Sequence, residues 1–138
     1  MARLARLLGA ATAVFGAATA ARPEIIARPL GLTEEDGTVP PRTRLLIELI
    51  GFRDVAVGAG MVVAPRGAPL RWLIAARAVS DAGDAFFLGR SLPSPVSRVL
   101  GVAMAGGWAV LCAASAVTAG RPEAPVRRSR RPGSAPGR

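Results

Sequence analysis

The chain has 138 residues, enough for one domain, and 51% of them are hydrophobic. Its net charge of +9 comes from 18 basic residues, all arginine, set against 9 acidic ones. Histidine is absent and Cys112 is the single cysteine, which excludes an internal disulfide, a zinc site of the usual ligands and any Ser-His-Asp or Cys-His catalytic arrangement within these residues.

Crossing a hydrocarbon layer of about 30 Å takes roughly 20 apolar residues in a helix. Four blocks of the chain meet that length. The first, residues 4–21, is rich in alanine and starts behind Arg3 and Arg6. Arg3, Arg6, an apolar run and then Ala18, Thr19 and Ala20 also fit a signal peptide with its cleavage site, the rival to a retained helix. Gly9, Ala13 and Gly16 fall on one face of the block, a small-residue stripe that favours a retained helix packed against another. A loop over residues 22–42 holds Pro23, Pro29, Pro40 and Pro41 and the acidic turn Glu34, Glu35 and Asp36; residues 24–32 are expected to form a short interfacial helix. The second block, 43–64, ends at Pro65, and the third, 70–89, stops before a loop with Pro93 and Pro95. The fourth, 99–120, is uncharged and bracketed by Arg98 and Arg121. Residues 121–138 are Pro, Gly, Ser and Arg with almost nothing apolar, a composition expected to stay disordered.

Arginine near helix ends sets orientation. With both termini in the cytoplasm, the inside holds Arg3, Arg6, Arg66, Arg71 and the arginines of the tail. The outside holds Arg22, Arg28, Arg42, Arg44, Arg90 and Arg98. The first set is larger, so both termini are expected inside, with the tail on anionic lipid as one partner for its charge. A nucleic-acid partner is not expected: no basic patch is interleaved with aromatics, and zinc-finger and helix-turn-helix spacings are missing.

The second and third blocks carry charge in mid-helix: Glu48, Arg53 and Asp54 on one, Arg77, Asp81 and Asp84 on the other. Three such charges cost about 8–10 kcal/mol on insertion scales. The leucine, isoleucine, valine and phenylalanine residues of the second block return only about 3–6 kcal/mol. Neither helix is comfortable alone, so the two are expected to enter as a hairpin with the charges meeting across it. Arg77, Asp81 and Asp84 lie within about 60° of one another on a helix, forming one stripe. Antiparallel arithmetic sets Arg53 and Asp54 near the depth of Arg77 and Asp81, and Glu48 near that of Asp84. The expected pairs are Arg53 with Asp81 or Asp84, and Arg77 with Asp54 or Asp81.

Two roles are open for this group. It is either a buried network that fixes helix register, or a site, because two arginines leave two of the four carboxylates over for a proton or cation. Catalysis is not expected. Metal-dependent membrane phosphotransferases need more acids than the Asp81/Asp84 pair, and the Gly58–Gly60 cluster lacks the lysine of a phosphate loop.

Gly51, Phe52, Arg53 and Asp54 with Gly58, followed by Arg77, Asp81 and Asp84 at Arg-x3-Asp-x2-Asp spacing, resemble the pattern of a group of small four-helix membrane proteins from actinobacteria and other bacteria, whose function is unknown. The resemblance covers roughly residues 4–120. It implies a four-helix architecture in the membrane and supplies no activity.

The expectation is therefore an all-α protein of the bacterial inner membrane, a bundle of four transmembrane helices over residues 1–120 with a disordered tail and no cofactor or metal. A scaffold or accessory subunit is the leading role. Small-residue faces at Gly9 and Gly16 and at Gly101 and Ala105 would meet a second copy or another membrane protein. The alternative is a small proton- or cation-coupled transporter using Asp54, Asp81 and Asp84.

Overall fold

The computed structural model describes residues 3–119. Every regular element among the described residues is a helix: α1 at Arg3–Ala21, α2 at Glu24–Ala27, α3 at Pro41–Val63, α4 at Ala68–Ser91 and α5 at Pro95–Ala119. The tail expected to be disordered, 121–138, lies outside the described residues.

Prolines and glycines set the boundaries. Pro41 opens α3, where its missing N–H is no loss, and Pro65 follows the end of that helix. Gly67 turns the chain into α4 at φ 106°, a backbone conformation that side chains disfavour. Pro95 was expected in a loop but begins α5. Ser94 stands before it and accepts a hydrogen bond from the Ser97 N–H at 3.0 Å, the usual device for a helix start. The interfacial helix is shorter than expected, four residues, and the rest of its segment turns back so that Ala27 and Val39 bury Ile47 at the start of α3.

The four long helices form two antiparallel pairs. In the first, α1 lies against α3 with backbone touching backbone. A Cβ on Gly16 would stand 2.6 Å from the Gly51 carbonyl oxygen, and one on Gly58 would stand 2.5 Å from that of Gly9. In the second pair, α4 runs along α5, with Gly101 against Leu88 and Leu92. The pairs meet in an apolar cluster of Ala5, Leu8, Met61, Ala64, Leu70, Ile74 and Cys112. This cluster lies towards the near end of the bundle, which holds Arg3 and the turn at 64–67. The far end holds the segment 22–40 and the turn 92–94.

The small-residue faces expected to meet a partner are thus occupied within the chain. Gly9 and Gly16 are buried against α3 and Gly101 against α4, because only glycine lets these helices approach so closely.

Among the described residues two helices are long and apolar enough to cross a membrane: α1 over Arg3–Ala21 and α5 over Pro95–Val117, with mean hydropathies of 1.5 and 1.8. Four were expected. On composition α3 and α4 fall short, since Arg42, Arg44, Glu48, Arg53 and Asp54 interrupt one and Arg71, Arg77, Asp81, Asp84 and Arg90 the other.

Candidate functional site: an alternating chain of charges between α3 and α4

Residues three or four apart share a helix face, so Arg77, Asp81 and Asp84 line the side of α4 turned towards α3. The buried core of the group is Asp54 on α3 with Arg77 and Asp81 on α4, which are 6%, 6% and 2% exposed. Arg77 pairs through Nη1 with Asp54 Oδ1 and through Nη2 with Asp81 Oδ1 at 2.6 Å. Arg53 folds back along its own helix to donate from Nε and Nη2 to the same Asp54 oxygen at 3.1 and 3.0 Å. Its Nη2 also reaches Asp84 Oδ2 at 2.8 Å. The order is acid, base, acid, base, acid: Asp81, Arg77, Asp54, Arg53, Asp84. Both ends are carboxylates, and the group carries one negative charge more than positive when all five are ionised.

Five of the six residues singled out from the sequence therefore come together. Arg53 takes Asp84 from its two expected partners, while Arg77 takes both Asp54 and Asp81. The bond from Arg53 to its neighbour Asp54 was not expected, because the two side chains leave the helix about 100° apart. The long arginine stem closes that angle.

Glu48 does not join them. It lies 3.9 Å from Arg44, one turn earlier on α3, and Arg44 is held by Glu24 of α2 at 2.7 Å. This second group caps the far end and is partly open to solvent. The Glu24 carboxyl is held below its usual range by its own backbone N–H at the start of α2, against desolvation, and then by Arg44. An acid one turn from an arginine on the same helix is satisfied locally, which removes any call on α4.

A second polar link between the helix pairs was not anticipated. Trp108 Nε1 of α5 donates to Thr12 Oγ1 of α1 at 2.9 Å. Its signal lay in the glycine stripe: Thr12 and Thr19 share the face of Gly9 and Gly16 and are buried with them. Polar side chains on the packed face of an apolar helix call for partners.

Two surface clefts lie away from the charged group, one lined by Arg22, Glu24, Ile25, Arg28 and Pro29, the other by Gly89, Arg98, Val99, Val102 and Ala103. Among the described residues no three acids or cysteines converge in a way that would hold a metal ion. Compared with protein-family models, curated proteins and solved structures, the chain matches none.

Proposed function

We propose that the chain is a scaffold or accessory protein of the bacterial inner membrane, that all four long helices cross the bilayer, and that its Arg/Asp group clamps the two helix pairs together. It performs no catalysis on this reading. The observation that carries it is an inverted distribution of polarity. Charged and hydroxyl residues are buried, including Asp54, Arg77, Asp81, Thr12, Thr19 and Ser115. Large apolar residues face outward on every long helix, α3 and α4 included: Leu45, Leu49, Phe52 and Val63 on one, Trp72, Val79, Phe86 and Phe87 on the other. Phe52 is 72% exposed beside two charges that turn inward. An exposed apolar surface this extensive suits lipid and not water. The mid-helix charges Asp54, Arg77 and Asp81 are hidden from lipid by each other, and the Arg53–Asp84 pair is about one-third exposed at the rim.

The charges at the two ends support termini in the cytoplasm. Counted by arginine, this orientation sets Arg3, Arg6, Arg66, Arg71 and the six arginines of residues 121–138 inside against Arg22, Arg28, Arg42, Arg44, Arg90 and Arg98 outside. The near end suits an anionic leaflet.

A scaffold works through contacts, so the tagged chain extracted in mild detergent is expected to migrate as a discrete assembly with a second copy or another membrane protein. A purely monomeric chain would sink this reading. Transport through Asp54, Asp81 and Asp84 is the second possibility, favoured by the surplus carboxylate. In proteoliposomes the scaffold reading expects no proton or cation flux above that of protein-free vesicles. Flux abolished by Asp81→Asn would favour transport.

A further inference from the structure

Asp81 has a feature that helix clamping leaves unexplained. Its side chain is 3% exposed, and while Oδ1 meets Arg77, Oδ2 is fully buried with no hydrogen-bond partner among the protein atoms. An ionised carboxylate is an acceptor only, and each oxygen left unpaired away from water is costly. The groups around it offer no further cation. On its own helix Arg77 and Asp84 face it; Arg77 gives Nη1 to Asp54 and Nη2 to Asp81 Oδ1, and its Nε, also buried, meets no acceptor, Oδ2 included. From α3 it faces Asp54 and Arg53, and Arg53 is divided between Asp54 and Asp84. From α5 the ionisable neighbour is the buried thiol of Cys112. The packed face of α1 offers Gly9, Thr12, Gly16 and Thr19, none of them ionisable. Three carboxylates share two guanidinium groups, and Asp54 takes both of these on one oxygen.

We propose that Asp81 is a proton-binding site: a proton taken from solvent forms an O–H bond at Oδ2 and brings the five-residue group from a charge of −1 to neutrality. Asp81 fills this role better than its neighbours. Asp54 meets both arginines, and Asp84 is about one-third exposed at the rim, where it is not enclosed. The bound proton removes the surplus charge and turns an orphaned acceptor into a neutral carboxyl. This role adds to clamping and requires no net movement of protons across a membrane.

Infrared spectroscopy of the purified full chain, with aspartate labelled by 13C at the carboxyl, tests the proposal. The expected result near neutral pH is a carboxylic-acid C=O band from a single protonated group that shifts with the label. It should disappear in Asp81→Asn and persist in Asp84→Asn. Should Asp81→Asn fail to fold, Asp81→Glu serves instead: the band should remain but stop responding to the aspartate label. Absence of a label-sensitive band at neutral pH, or its persistence in Asp81→Asn or unchanged in Asp81→Glu, overturns the assignment. These readouts do not depend on which helices cross a membrane, so the site and the scaffold proposal fail separately.

Discussion

Helix α3 is held on two sides by opposite means. Towards α1 it offers Gly51 and Gly58, and the helices meet backbone to backbone with no room for a Cβ. Towards α4 it offers Arg53 and Asp54, and the helices are joined chiefly by ion pairs spanning a wider gap. The glycine seam works by dispersion between close surfaces, which needs no water to drive it. The charged seam works only while every charge keeps a partner, and it forfeits most when one is removed. The two seams should therefore respond to different substitutions.

The largest effect is expected at the charged seam. Arg77→Met strands Asp81 and takes a partner from Asp54, and should destabilise the fold by about 3–5 kcal/mol, read by thermal unfolding in detergent. At the glycine seam Gly58→Ala places a methyl against the Gly9 carbonyl and the Ala13 amide, where nothing flexible can yield. Overpacking of this kind costs about 1–3 kcal/mol. Gly83→Ala is its control. No atom lies within 4 Å of the new methyl, and alanine's better helix propensity should make the change neutral or stabilising by up to about 1 kcal/mol. If Gly58→Ala and Gly83→Ala unfold alike, close approach is not what holds α1 to α3.

Smaller effects sharpen the contrast. Trp108→Phe keeps an aromatic ring, though a smaller one, and removes the bond to Thr12, the polar link between α1 and α5. Hydrogen bonds between membrane helices average about 0.6 kcal/mol, so a modest fall in melting temperature is expected. Glu48→Gln should matter least. Its pairing with Arg44 is long and partly solvated, and exposed pairs contribute at most about 1 kcal/mol. A loss as large as that of Arg77→Met would place Glu48 in the central group after all.

What could be read in the sequence follows from which contacts are periodic. Arg77, Asp81 and Asp84 announce themselves by helical spacing, and antiparallel depth brings Arg53 and Asp54 opposite them. The glycine stripe of α1 was equally visible, but periodicity says only that a face is smooth, not which helix meets it. The stripe at Gly51 and Gly58 on α3 was visible in the same way, but nothing in the spacing assigned it to Gly9 and Gly16. Glu48 was misplaced because its partner is Arg44, one turn away, and Arg44 is in turn held by Glu24, in a segment whose path no periodic pattern fixes. Pro95 reads as a helix breaker in isolation. With Ser94 before it and Ser97 after, it reads as a helix start. Composition counts every charge of α3 and α4 against a membrane crossing, whether it faces outward or another helix, and in the fold Asp54, Arg77 and Asp81 face other helices.

The sidedness of the α3–α4 turn tests the central claim, that all four long helices cross the bilayer, most directly. In a Cys112→Ala background, Ala68→Cys reports on the turn between α3 and α4, and Glu35→Cys on the segment between α1 and α3. If all four helices span with both termini in the cytoplasm, a membrane-impermeant maleimide should label Glu35→Cys on intact cells and reach Ala68→Cys only once the membrane is opened. Labelling of both positions from the same side would mean that α3 does not cross, and would contradict the four-span bundle.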